Sequence, residues 1–171
     1  MTLRWQEESL SKAHDRRSFD CGEPALNDYL QKFARQNHDS GGAKTFVAVE
    51  PNQPTIILGY YTLSPASIEY ARTPDIVRRG LGRYDVPVFR LGRLAVATSM
   101  QGRGLGGGLV LAAGSRCIAV GAQIGGVALL IDAKSDRAAS WYEGYGAVRL
   151  NDAPLSLLLP LKTITAALRK P

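Results

Sequence analysis

The chain has 171 residues, of which 45% are hydrophobic and 21% charged, and it carries a formal net charge of +6. That length and composition fit one globular domain with a substantial core and exclude a disordered, fibrous or disulfide-stapled protein. No basic region followed by an apolar run opens the chain, no uninterrupted apolar segment reaches membrane-spanning length, and Cys21 and Cys117 form no metal or redox motif. A reducing cytoplasm, with no membrane attachment and no metal, is therefore expected.

In chain order, a short strand is expected at Leu3 to Gln6. Glu23-Pro24 then begins a helix carrying Leu26, Tyr29, Leu30 and Phe33 at intervals of three and four, and Asn37 through Gly42 closes it. Phe46 to Val49 and Ile56 to Leu63 read as two strands joined by Pro51-Asn52-Gln53-Pro54, the second continuing towards Ile68 to Tyr70. Arg72, Arg78, Arg79 and Arg83 follow in a stretch that Pro74, Gly80, Gly82 and Pro87 break into a loop. Val88 to Val96 is an apolar strand. A glycine-rich turn then opens a helix whose Leu105, Leu109, Ala112, Ala113, Cys117 and Val120 share one face. Val127 to Asp132 is a further strand, Asp136 to Tyr142 a short helix and Leu155 to Leu159 a late strand. Leu161 to Leu168 is a terminal helix or irregular. The His14 and His38 stretches are polar, which places both histidines at the surface. This order describes one domain over residues 1–171, an α/β fold of the α+β kind with a central mixed sheet and helices on both faces.

The charge is unevenly spread, with eight basic against three acidic residues between positions 51 and 126. Arginine suits phosphate through its planar fork, so the Arg-rich loop fits a polyanion; a solvated basic loop on an ordinary enzyme accounts for the same residues. The glycines carry a sharper signal. Glycine is about 1 kcal/mol worse than alanine inside a helix, yet Gly104, Gly106, Gly107 and Gly108 crowd one first turn. An anion against bare backbone, where free N–H groups and the helix dipole favour negative charge, explains them. No Lys-Ser/Thr pair follows, which excludes a P-loop. Gly102, Gly104 and Gly107 match Gly-x-Gly-x-x-Gly, with Asp132 placed as a ribose-binding acid, so a dinucleotide-binding module is an alternative. Against it, the spacer Thr98 to Gln101 separates strand from glycines, and too little chain follows for a doubly wound sheet.

Gln101-Gly102-Arg103-Gly104-Leu105-Gly106 resembles the Gln/Arg-x-x-Gly-x-Gly/Ala motif of the GCN5-related N-acetyltransferases (GNAT), Arg93-Leu94-Ala95-Val96 resembles their central strand, and Ser140-Trp141-Tyr142-Glu143-Gly144-Tyr145-Gly146 their later helix. The resemblance implies acetyl-CoA as co-substrate. Leu94, Ala95 and Val96 would lie along its pantetheine arm, and Gln101, Gly102, Arg103, Gly104, Leu105, Gly106 and Gly107 would hold its pyrophosphate. Tyr142 falls where the family's general acid protonates the leaving sulfur; a phenol near pKa ~10 is protonated at neutral pH and can do so. A backbone N–H near Val96 would polarise the thioester carbonyl. No general base is evident, since nothing aims Glu50 or Glu69 at a substrate. That absence suits an α-amine, which titrates near ~8 against ~10.4 for lysine.

Phe19-Asp20-Cys21-Gly22, with Leu26-Asn27-Asp28-Tyr29-Leu30 and Ala34, further resembles the N-terminal signature of the GNAT toxins of bacterial toxin–antitoxin pairs, as does Gly92-Arg93-Leu94-Ala95-Val96. Membership of that group implies acetylation of the α-amine of aminoacyl-tRNA, a block of translation, a homodimer, and a ribbon-helix-helix antitoxin as partner. Arg78, Arg79, Arg83 and Arg93 would then contact tRNA. A GNAT acting on a small amine or a protein N-terminus is the alternative within the enzyme class.

Overall fold

Apolar runs bounded by turn residues become strands here because their β-branched and aromatic side chains fit a pleated, half-buried surface. The computed structural model describes residues 3–170. Its strands are β1 (Gln6–Ser9), β2 (Lys44–Glu50), β3 (Gln53–Ile68), β4 (Val86–Val96), β5 (Ala128–Asp132), β6 (Val148–Arg149) and β7 (Ser156–Pro160). They form one mixed sheet in the order β1-β2-β3-β4-β5-β7-β6. The flanking helices are α1 (Pro24–Asp28), α2 (Ala34–Ser40), α3 (Asp75–Arg78), α4 (Leu105–Ile124), α5 (Asp136–Glu143) and α6 (Leu161–Leu168), with a π-helical turn (Tyr29–Phe33) joining α1 to α2. The chain gathers into two compact units, Met1–Ser64 with Arg93–Ala112 and Pro65–Gly92 with Ala113–Pro171.

In the first unit β1 pairs antiparallel with β2, from Gln6 opposite Val49 to Ser9 opposite Phe46, and β2 forms an antiparallel hairpin with β3. Leu26, Tyr29, Leu30 and Ala34 pack with Phe19, Val47, Val49, Tyr60 and Ala95 in one buried cluster. The Tyr60 hydroxyl donates to the Leu26 carbonyl at 2.7 Å, which satisfies a buried polar group while fixing the helix to the sheet. Burial raises the Tyr60 pKa, so the phenol stays a donor.

In the second unit β4 and β5 run parallel, Phe89 to Leu91 opposite Leu129 to Ile131, and β7 lies antiparallel between β5 and β6. Ile68, Val77, Val86, Val88, Ala128, Leu130, Leu150 and Leu158 form its core. Within the Arg-rich stretch a 3₁₀ turn (Tyr70–Arg72) and α3 interrupt what composition reads as a loop.

Four expectations are corrected. The first strand is Gln6–Ser9, not Leu3 to Gln6, because an edge strand needs no apolar face and Trp5 is used elsewhere. On α4, Val110 is buried and Val120 exposed, so the buried stripe runs Leu105, Leu109, Val110, Ala113 and Cys117. That helix is also long and apolar enough to cross a membrane by length and composition, contrary to the sequence reading; it carries Arg116, and its buried stripe is that of a core helix. His14 and His38, finally, are buried. His14 accepts from the Ser11 N–H at 3.0 Å and meets Glu8 at 2.9 Å, while His38 accepts from the Thr45 N–H at 2.9 Å and meets the Ser9 hydroxyl at 3.1 Å. Polar sequence surrounds them because their ring nitrogens are the internal partners of those backbone groups.

Candidate active site

β4 alternates its side chains across the sheet, which sends Ala95 into the first unit's core with Ala97 packed beside it. Arg93 shares that face. Its guanidinium carbon lies 3.5 Å from the centre of the Tyr29 ring, a close cation–π contact. Leu94 and Val96 point to the other side and are half-buried.

Beyond Val96 the chain makes a 3₁₀ turn (Thr98–Met100) and enters the glycine loop. The Gln101 side-chain amide donates to the carbonyls of Cys21 and Val96, both at 3.0 Å, so that amide serves as a clasp within the protein. The Thr98 N–H donates to the Asp20 carbonyl at 2.9 Å. The Asp20 carboxylate accepts from the Gly22 N–H at 2.8 Å and from the Asn27 amide at 2.9 Å, contacts that lower its pKa. The Asn27 side-chain oxygen accepts in turn from the Cys21 N–H at 2.9 Å. The N-terminal signature is thus the scaffold of the loop. Its Asp-Cys-Gly turn with an Asn six residues after the Cys was the available signal for this role.

Gly102 and Gly104 have φ of +76° and +86°, and a Cβ at either would meet nothing within 4 Å. Glycine is needed there for its left-handed backbone, and the backbone beside it is open. The first helical hydrogen bond runs from Gly108 N–H to the Gly104 carbonyl at 3.2 Å, leaving the N–H groups of Leu105, Gly106 and Gly107 without helical acceptors. A loop and helix start of this kind fit a pyrophosphate. Gly108 has another reason: a Cβ would come within 2.9 Å of the Trp5 ring, so it is small for packing and not for an anion. Arg103 contacts the Met100 sulfur at 3.5 Å. The N–H groups of Ala97 and Thr98 are occupied by Leu58 and Asp20 carbonyls, so neither is free to polarise a thioester just beyond Val96.

In the second unit Ser135 caps α5, its hydroxyl accepting from the Ala138 N–H at 3.1 Å. Arg149 braces the helix through Asp136 at 2.6 Å, Glu143 at 2.8 Å and the Ser140 hydroxyl at 3.0 Å. Tyr142 sits on its buried face, 9% exposed. Burial pushes the Tyr142 pKa up to about 12, which keeps the phenol protonated.

The arginines expected to contact tRNA separate. Arg78 pairs with Asp75 at 2.8 Å and lies over the Tyr70 ring, and with Arg72, Thr73, Arg149 and Asp152 it lines a cleft of about 540 Å³. Arg79 and Arg83 are exposed and make no ion pair among the described residues. Hydrogen bonds hold the carboxyls of Glu8, Asp15, Asp20, Asp39 and Asp152 below the usual carboxylate range, so none of these is tuned as a general base at neutral pH. Asp132 is held by Arg90 and by the Ser156 hydroxyl, and β7 beside it is antiparallel, which removes the ribose acid and the doubly wound sheet that a dinucleotide module requires.

No family model matches the chain. A tRNA-acetylating toxin of Mycobacterium tuberculosis (strain ATCC 25618 / H37Rv) is 39% identical to it over 157 residues, covering 92% of each chain. The chain belongs to the tRNA-acetylating toxins. In keeping with this family, its fold is that of solved toxin structures. The structure of AtaT complexed with acetyl-methionyl-tRNAfMet matches with a TM-score of 0.88 at 27% identity, covering 96% of this chain and 99% of that one. A Tyr-to-Phe mutant of AtaT, bound to the C-terminus of the antitoxin AtaR and to acetyl-CoA, matches with a TM-score of 0.82 at 28% identity, covering 97% and 99%.

Proposed function

We propose that this toxin transfers the acetyl group of acetyl-CoA to the α-amine of aminoacyl-tRNA and so stops translation. The observation that carries the reading is the 39% identity, across nearly the whole of both chains, to a tRNA-acetylating toxin. AtaT, a structural neighbour, is complexed with an acetylated aminoacyl-tRNA.

Acetyl-CoA supplies an acetyl group activated as a thioester. Backbone N–H groups of Gly102 to Gly107 bind its pyrophosphate, with Arg103 as charge partner, and Leu94, Ala95 and Val96 run along the pantetheine arm. When the neutral amine forms its C–N bond, the C–S bond breaks and the amine's surplus proton leaves to water. Tyr142 gives its phenolic proton to the departing sulfur. Burial keeps this phenol protonated at neutral pH, so the proton is there to be given. Deprotonation before attack needs no strong base, since an α-amine near pKa ~8 is partly neutral at physiological pH.

Arg79 and Arg83 are the exposed cations for the tRNA backbone, while Arg78 and Arg93 have local partners and contribute through their remaining N–H edges. The toxin works in the cytoplasm as a single acetyltransferase domain, assembles as a homodimer and is silenced by a ribbon-helix-helix antitoxin.

The test is transfer of labelled acetyl from acetyl-CoA to freshly aminoacylated tRNA. Label entering charged but not uncharged tRNA, and falling by about 10²–10⁴ in Tyr142→Phe while acetyl-CoA still binds, is the expected result. No transfer to charged tRNA by the wild type would overturn the reading.

A further inference from the structure

The geometry points to a second element of substrate recognition: the exposed edge of α5, formed by Arg137, Trp141 and the following Tyr145, stacks the unpaired 3′ nucleotides of the tRNA acceptor end. It rests on the aminoacyl-tRNA reading above and specifies how the RNA part of that substrate is gripped.

Two faces of α5 have evident duties. Ala139 and Tyr142 face the interior. Asp136, Ser140 and Glu143 are tied to Arg149. The third face, at helical i, i+4 spacing, carries Arg137 and Trp141 and is prolonged by Tyr145 beyond the helix end. Trp141 is 40% exposed and Tyr145 37%, and Arg137 makes no ion pair among the described residues.

Single exposed aromatics are ordinary on protein surfaces. This group is a construction. The Trp141 ring lies 5.0 Å from the Tyr145 ring at 66° and 4.9 Å from the Tyr142 ring at 74°. Two edge-to-face contacts hold the indole, so its remaining exposed surface is presented in one orientation. A rigid aromatic surface with a cation one helical turn away suits an unstacked base and its phosphate. Helical RNA does not offer base faces, because its bases are stacked on one another.

Continuity selects the occupant. Trp141 touches the ring of the residue proposed to protonate the leaving sulfur, so the ligand on Trp141 is covalently close to the reacting amine. In aminoacyl-tRNA the group next to the amino acid is the terminal adenosine, an unpaired nucleotide.

Two measurements test this. The first titrates wild type and Trp141→Phe with a short single-stranded RNA ending in CCA and with a duplex of equal length, following tryptophan fluorescence. The single strand should quench the wild type, and the quench should vanish in Trp141→Phe, where Trp5 still emits. Equal quenching by duplex, or quenching that survives in Trp141→Phe, would overturn the proposal. The second compares kcat/KM for aminoacyl-tRNA and for an amino acid methyl ester in wild type and Trp141→Ala. The loss on tRNA should exceed the loss on the ester by about tenfold, as expected for one stacked base, and should fall mainly on KM. Equal losses on both acceptors would make Trp141 a support for Tyr142 and remove the nucleotide from the argument. Failure of the function itself looks different: wild type would then leave aminoacyl-tRNA unacetylated whatever residue stands at position 141.

Discussion

Replacing Gln101 by Ala removes two hydrogen bonds, each 3.0 Å long, that hold the glycine loop, proposed to bind pyrophosphate, to Cys21 and Val96. Net contributions of about 0.5–1.5 kcal/mol per bond apply, and the exposed position of Gln101 favours the lower half, so about 1–2 kcal/mol is lost. If that loss falls on the ordered loop, the Kd for acetyl-CoA rises about 5- to 30-fold. Isothermal titration of acetyl-CoA into wild type, Gln101→Ala, Gln101→Glu and Gln101→Arg measures it. Glutamate should be worse than alanine, because a carboxylate faces two carbonyl oxygens and has no donor for either. Arginine should stay near wild type, since it offers only donors, and the motif accepts Gln or Arg there. An unchanged Kd in Gln101→Ala, or glutamate binding as well as arginine, would refute the clasp.

Other outcomes follow from the same structure. With the Tyr142 pKa raised to about 12, kcat/KM should show no descending limb up to pH ~10, where an ordinary phenol would already be half ionised; a fall centred at pH 10 would count against Tyr142 as the acid. Burial lowers the His38 pKa, so folding favours the neutral ring that accepts from the Thr45 N–H. Stability from this group is present above pH ~6.5 and lost as pH falls below it, and urea unfolding at pH 7.5 and 5.5 should show a smaller difference in His38→Gln than in wild type. Gly114→Ala should destabilise despite a helix-propensity gain of about 1 kcal/mol, because its Cβ would lie 2.5 Å from Ile164 Cδ1 and 2.7 Å from Cγ2. In an Ile164→Ala background the same change should stabilise, and thermal melts of the four variants would show whether the sign reverses.

Most of the sheet was legible because its strands are apolar runs: β2, β3, β4, β5 and β7 all fall on segments whose side chains must leave water. β1 and β6 were not. Gln6–Ser9 is a polar edge that owes its conformation to backbone pairing with β2, and Val148–Arg149 is too short to carry a period. The glycine loop and Tyr142 are proposed as site residues through their resemblance to known motifs, whereas the packing duties around them were not visible in sequence. Gln101 stands in the phosphate motif yet spends its side chain inside the protein, and Gly108 stands in the glycine run yet answers to Trp5. Both facts depend on neighbours about 80 or 100 positions away, which no local pattern encodes. His14 and His38 misled for another reason: polar neighbours, Ser11 and Glu8 for the one and Thr45 and Ser9 for the other, give their ring nitrogens partners in the interior.

The clasp between Gln101 and Cys21 also has a meaning in time. It joins residues 80 positions apart, so the glycine loop is completed only when the beginning of the chain and its middle have met. The loop takes its ordered form only after the segment with Gln101 has closed on Cys21.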